Sequence, residues 1–408
     1  MAKKLFVLIS VLLIAVFVLT ACGPKAPKEP SQEVTIVLWT KEGEADGGLQ
    51  YVTSLTDAYT AAHPLVKFEV VNKEVETLRE DFQTASLAGN PPDLLWTVSD
   101  HVGPFSVAGI IQPVDKLVDL TKYVESIKLG KDTWAVPISS GNHLMLLYNK
   151  DLVPTAPKDT DEMIAVAQGI TSGDTYGLVF NFTEPFWLAP WLGGFGGRVF
   201  AEDGVTPTLN TQAMIDTLQF LYDLKYTSKV MPAEADYNGA DTLFKEGKAG
   251  MLINGDWSLG DYKTVLGDKL GVAPIPMVKK TGKYPAPYTS GTYFMVPAGL
   301  EGDKLLAVQG FMAFATEEAN QINMVTTLSR LPALKSALKA EIITTDPILK
   351  GSSEQMSYGT PMPVVLEMRC NWDAMKPELQ AVLAGTKSPT DAAAAMQAAA
   401  ESCIKTLE

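Results

Sequence analysis

The chain has 408 residues, 46% hydrophobic and 20% charged, a globular composition with length for two or three domains. Its formal net charge is −14 and no basic stripe runs along it, which excludes a nucleic-acid binder, because phosphate contacts need clustered Lys and Arg. The histidines, His63, His101 and His143, lack ligand spacing, so neither a metal site nor a cofactor is expected.

The N-terminus reads as a targeting segment. Lys3-Lys4 is a basic start, and Leu5 to Leu19 is apolar except for Ser10. This run of roughly 15 residues is short of the ~20 a membrane span needs. Leu19-Thr20-Ala21-Cys22-Gly23 resembles a bacterial lipobox, which implies lipidation of Cys22 after removal of the segment before it. Gly23 to Glu33 carries Pro24, Pro27 and Pro30 among Lys and Glu, the composition of a flexible tether.

Val34 to Trp39 is a β-branched apolar run, read as a buried first strand before the polar loop Thr40–Glu44. Leu49 to Ala62 has helical spacing and stops at His63-Pro64. Val66–Val71 is a strand, Glu74–Leu87 a helix, and Leu94–Val98 a third strand leading into Ser99-Asp100-His101-Val102-Gly103. Strand, helix, strand, helix, strand implies crossovers and a largely parallel sheet, with ligands gathered at loops beyond the strand C-ends. Trp134–Ile138 and Leu144–Tyr148 are strands, and the small polar segment Ser139–His143 between them suits a hinge. Trp39 and Trp134 lie in strands and are read as core.

Tyr176–Phe182 is a strand that opens the most aromatic stretch. Seven rings, Phe180, Phe182, Phe186, Trp187, Trp191, Phe195 and Phe200, crowd it, against 9% for the chain. Pro185 biases Glu184 towards extended backbone, so a carboxylate is presented beside Phe186 and Trp187. Flat apolar rings next to a hydrogen-bond acceptor suit a sugar, which has C–H faces rimmed by hydroxyls; a helix start with Trp187 and Trp191 on one face is the plainer alternative.

Gln212–Lys225 is an amphipathic helix, and Ala249–Ile253 a strand followed by Asn254-Gly255-Asp256-Trp257. Gly271–Ile275 and Thr292–Val296 are strands flanking a proline-rich loop. Val364–Leu383 is one helix or two, depending on Pro377. The last helix starts with Ser388 as its cap and Pro389 in its first turn. Cys370 opens one helix and Cys403 lies near the end of the next. If these are antiparallel neighbours the two meet, and a disulfide is expected in an exported protein.

In this order the motifs resemble the solute-binding lipoproteins of bacterial ATP-driven sugar importers, especially the maltose/maltodextrin branch. The likeness runs from Val34 to Leu407. It rests on Pro92-Asp93-Leu94-Leu95 with Asp100-His101-Val102-Gly103, on Tyr148-Asn149-Lys150-Asp151-Leu152, on Glu184-Pro185-Phe186, on Ile253-Asn254-Gly255-Asp256-Trp257, and on Trp372 placed before Gly385. The resemblance implies an α/β two-lobe periplasmic-binding-protein-like fold (type II) with three inter-lobe crossings, near Ser139–His143, Lys269–Gly271 and Thr327–Arg330. Residues 1–22 would be the signal peptide and 23–33 the tether. Residues 34–140 plus 271–327 would form the N-terminal lobe, and 141–270 plus 328–408 the C-terminal lobe.

It further implies a ligand site. Asp100 would hold sugar hydroxyls. His101, standing where the family usually has arginine, would be a weaker and pH-dependent donor. Glu184 would accept hydroxyl protons, Phe186, Trp257 and Trp372 would stack on sugar faces, and Lys41 and Glu42 would be polar contacts in the first loop. Asn142 stands where maltodextrin binders commonly have glutamate, and Thr97 where some have a stacking tryptophan. The implied protein is a monomer, lipid-anchored to the outer face of the cell membrane. It would close on an oligosaccharide, maltose or maltodextrin first, and deliver it to the transmembrane subunits of an ABC permease. Another oligosaccharide, trehalose or a glycerol-phosphate-type solute is the alternative. Asp100 and Glu184 could in principle pair for glycoside hydrolysis, but the family has no catalysis and no enzyme is expected.

Overall fold

The computed structural model describes residues 29–124 and 126–407; the signal peptide 1–22, with Cys22, and the start of the tether lie outside the described residues. Two sheets organise the chain. The first has seven strands. Val66–Asn72, Val34–Thr40 and Leu94–Val98 are parallel neighbours, with Val34 opposite Val66 and Leu38 opposite both Val70 and Leu94. Thr292–Pro297 then joins antiparallel to Leu94–Val98 and to Asp132–Pro137, and Ile127–Leu129 closes the edge. Ile111–Gln112 pairs with the end of Thr292–Pro297.

Side chains alternate across a strand, and here the alternation feeds two cores. Leu94, Trp96, Phe294 and Val296 pack on one face with Ile36, Leu38 and Phe311. Leu95, Tyr293 and Met295 pack on the other with Phe82 and Phe105. Burial on both faces explains why Leu94–Val98 is apolar at nearly every position. Trp39 and Trp134 are only partly buried, at the border of the second of these cores.

The second sheet has four strands, ordered Leu270–Ala273, Leu144–Asn149, Ala249–Gly255 and Tyr176–Phe180. Its core takes in Leu146, Phe180, Leu252 and Tyr262, the buried Trp191 from the aromatic stretch, and Met375 and Met396 from the last two helices. Those helices, Glu367–Leu383 and Pro389–Ile404, pack together, and Cys370 is bonded to Cys403 with Cα atoms 5.6 Å apart. Pro377 lies inside the first of them without ending it. Ser388 caps the second through the Asp391 N–H.

The connecting segments lie side by side. Ser139–Ser140 pairs antiparallel with Leu331–Pro332, and Gly141 bridges to Ser290. Three expected boundaries move. Leu270–Ala273, expected to return the chain to the first lobe from residue 271, pairs instead with Leu144–Asn149 in the second sheet, because its apolar residues complete that sheet's edge. The chain rejoins the first sheet only at Thr292. Beyond Arg330, Ala333, Leu334 and Ala337 still pack in the first core, so that lobe continues past residue 327. The tether ends early: Glu29 reaches the His63 ring at 3.1 Å, Pro30 is buried, and the Ser31 N–H donates to Asp303 at 3.1 Å.

Candidate functional site

Between the sheets the strand ends and adjoining turns bring aromatic and charged side chains together. Phe186 sits in a single turn, Pro185–Trp187, that Pro185 starts. Trp257 sits in a matching turn, Asp256–Ser258, directly after the strand Ala249–Gly255. Trp372 projects from the first turns of Glu367–Leu383. The Phe186 ring lies 6.1 Å from that of Trp257 and 6.4 Å from that of Trp372, each tilted by 51°. All three are half-buried, whereas the neighbouring Trp187 is buried and donates its indole N–H to the Ile253 carbonyl at 2.9 Å. Trp187 therefore backs the cluster as core and holds it against the sheet.

Tyr237 and Tyr288 complete this wall. The Trp257 indole N–H donates to the Tyr237 hydroxyl at 3.0 Å, which fixes the ring plane. Tyr288 meets Trp372 edge-on at 6.0 Å. Neither tyrosine stands out in the sequence. Tyr237 opens a helix, Tyr237–Lys245, and Tyr288 follows a proline-rich loop without periodicity.

The facing lobe supplies the charges. Asp100 lies in the turn that ends Leu94–Val98. Burial pushes its carboxyl up to about 6, and Glu76 nearby adds to this; the Trp372 indole and Arg369 pull the other way. Lys41 holds its ammonium 6.0 Å from the Trp257 ring centroid and 3.7 Å from the Glu42 carboxylate.

Four expected contacts take other partners. Glu42 is 1% exposed, and its Oε2 accepts from the Arg330 guanidinium at 2.7 Å. Burial alone would push this carboxyl up, but Arg330 and Lys41 outweigh it and hold it below the usual range. His101 is buried; its Nδ1 lies 2.9 Å from the Thr97 hydroxyl and its ring 5.3 Å from that of Phe105. Burial, helped by Arg79 and Arg369 and opposed by Glu76, pushes its pKa down to about 3. The imidazole is thus neutral across the physiological range, which corrects the expectation of a pH-dependent donor. Glu184 makes a 2.5 Å ion pair with Lys376 at the rim.

Asn142 has a left-handed backbone, φ 46°, and its N–H donates to Asp256 at 3.1 Å. Asn tolerates that region better than most residues, so the local conformation gives a reason for Asn at this position. The preceding Gly141 has φ 123°, and a Cβ there would meet the Asp256 carboxylate at 2.2 Å.

Arg330 was not foreseen. It lies 2% exposed beside the connecting strand Leu331–Pro332, bonded to Glu42, within 3.5 Å of Asp46, and donating to the Trp257 carbonyl at 3.0 Å. One buried cation thus ties the first loop of one lobe to an aromatic residue of the other. A lone arginine between apolar Leu328 and Leu331 was the available signal.

A profile of the bacterial extracellular solute-binding proteins matches residues 54–351. The chain belongs to this family. Its members bind solutes and are not enzymes, and the fold is the α/β fold of periplasmic binding proteins such as MalE. The maltose/maltodextrin-binding domain MalE of Bdellovibrio bacteriovorus, solved with maltotriose, is similar at 36% identity and TM-score 0.88, over 91% of this chain and 100% of that one. The maltotriose-binding protein of Thermus thermophilus, also solved with maltotriose, is similar at 26% identity and TM-score 0.84, over 90% and 100%. Among sequence relatives, the maltotriose-binding protein of Pyrococcus abyssi is 27% identical over 86% of this chain and 78% of its own length. The galactooligosaccharide-binding protein of Bacillus subtilis is 24% identical over 92% and 91%.

Proposed function

We propose that this protein is the substrate-binding component of an ABC importer and that it captures an α-linked gluco-oligosaccharide, maltotriose or a longer maltodextrin. The observation that carries the reading is the convergence of Trp257 and Trp372 on Phe186, 6.1 and 6.4 Å from its ring, opposite Asp100. Tilted rings form a curved wall, which suits the curved chain of an α-glucan better than the flat ribbon of a β-glucan. Asp100 accepts from hydroxyls, while Lys41 faces the Trp257 ring from the other lobe. The similarity to two proteins solved with maltotriose supports the same reading.

In this account the sugar stacks first on the aromatic wall. Closure then brings Asp100 and Lys41 over it, and the closed form docks on the transmembrane subunits of the permease. Cys22 carries the lipid that holds this monomer at the outer face of the membrane. The galactooligosaccharide-binding relative supports a second reading, in which the role is the same and the sugar is another oligosaccharide.

The test is intrinsic tryptophan fluorescence of the protein from Ser31 onward, titrated with maltose, maltotriose, trehalose, cellobiose and a galactooligosaccharide. A saturable change with maltotriose and none with cellobiose is the expected result. A response confined to another sugar would keep the transport role and replace the substrate.

A further inference from the structure

Beside the aromatic wall, one short segment of the second lobe lies across the first. Val364–Leu366 leads into the helix Glu367–Leu383, whose inner face packs in the second core. Three contacts run along it. At its start, the backbone of Val364 to Leu366 rests directly on Gly103, in the helix Val102–Val107 of the first lobe. One turn on, Arg369 bonds to Glu76 at 2.5 Å, on the helix Val75–Leu87 of the first lobe. Next, Trp372 reaches Asp100.

Gly103 is the telling residue. A Cβ there would lie 2.3 Å from the Val364 carbonyl oxygen and 3.0 Å from the Val365 carbonyl carbon. Both are backbone atoms of the opposite lobe and cannot swing aside. Heavy atoms at rest sit ~3.5 Å apart, so the lobes would have to part by about 1 Å. Nothing in Gly103's own backbone asks for glycine, since its φ is not in the left-handed region. Within its own lobe, in a helix, alanine would be the better helix former. Glycine is therefore required by the closed arrangement of the lobes and not by the fold of either one.

We propose that Val364–Arg369, seated on Gly103 and locked by Glu76, is a clasp that sets sugar affinity by stabilising the closed state without touching the sugar. This rests on the reading that the lobes close on a ligand. The clasp forms after the sugar has met the aromatic wall, so it governs release: ligands leave once it opens, and the arrival rate is indifferent to it.

The experiment compares wild type, Gly103→Ala, Gly103→Val and Glu76→Gln by stopped-flow fluorescence with maltotriose, by thermal melting without sugar, and by small-angle X-ray scattering with and without sugar. Gly103→Ala should raise the off-rate at least tenfold, leave the on-rate unchanged, and leave the sugar-free melting temperature equal or higher. Glu76→Gln should raise the off-rate by a smaller factor. Off-rates equal to wild type in both Gly103 variants would overturn the clasp and leave the substrate reading intact. A lower melting temperature matching the loss of binding would assign Gly103 to folding and equally overturn it.

The scattering decides the matter without any sugar response. Wherever the wild type, free or loaded, has the radius of gyration of this structure, Gly103→Val should be larger. A wild type larger than this structure in both conditions, or a Gly103→Val variant as compact as wild type, would show that no clasp forms.

Discussion

Replacing Arg330 with alanine gives the sharpest test of how the two lobes are tied. Arg330 is 2% exposed and Glu42 1% exposed, and the pair is 2.7 Å apart. Removing the cation leaves Glu42 buried with only Lys41, 3.7 Å away, as a counter-charge. It also removes the donor to the Trp257 carbonyl. Breaking a buried pair on one side destabilises by roughly 3–5 kcal/mol, and the upper half of that range is expected because the Glu42 carboxylate and the Trp257 carbonyl lose their donor together and Asp46 loses its nearby cation. Urea denaturation followed by fluorescence measures it. The loss should depend on pH. In the wild type Glu42 is held below its ordinary value, so its contribution is present above the unfolded value of ~4.3 and fades as pH falls through the folded one. In the variant Lys41 is the counter-charge left against burial, so the charged form is penalised above that value and relieved by protonation. The gap between the two proteins is therefore widest near neutrality and narrows in acid. A loss under about 1 kcal/mol, the value of an exposed pair, or a gap independent of pH, would refute the reasoning.

Trp257→Ala and Trp372→Ala should each weaken maltotriose binding by ~2 kcal/mol or more, as for buried aromatic anchors, whereas Glu184→Gln, which loses a rim ion pair with Lys376, should change it by less than about 1 kcal/mol; calorimetric Kd values separate the two outcomes. Asp100 titrates at about 6 in the folded protein, above its ordinary 3.8, so its charge opposes folding at neutral pH and that opposition is lifted as pH falls through this window. Asp100→Asn should accordingly be more stable than wild type near pH 7 and lose the advantage by about pH 4, read by melting at both values, while losing sugar affinity. Reducing Cys370–Cys403, which closes a separation of 33 residues, should lower stability by about 3–4 kcal/mol, measured by denaturation of Cys403→Ser against wild type.

Strand positions were readable because Leu94–Val98 and Thr292–Pro297 are short, almost continuously apolar runs, the pattern left by burial on two faces. The aromatic wall was readable too, since Glu184-Pro185-Phe186 and Trp257 sit at strand ends where turns project side chains into the cleft. What could not be read was pairing across the lobes. A carboxylate in a loop looks the same whether it awaits a hydroxyl or an arginine. Glu42 proved to be bound to Arg330, 288 residues away in sequence. His101 was expected to be a weaker, pH-dependent donor to the ligand, but Thr97 and Phe105 enclose it, and only tertiary packing sets that. Leu270–Ala273 was misplaced for a related reason: a short apolar strand fits either sheet, and its partner Leu144–Asn149 decides.

The central claim is that one maltodextrin is enclosed between the aromatic wall and Asp100. Isothermal titration calorimetry with maltotriose at several temperatures tests it directly. The account predicts one sugar per chain and a negative heat-capacity change, because closing over the rings removes apolar surface from water. It also predicts that both are lost in the Trp257→Ala, Trp372→Ala double variant. An absence of heat with every α-glucan, or binding that survives loss of both tryptophans, would contradict it.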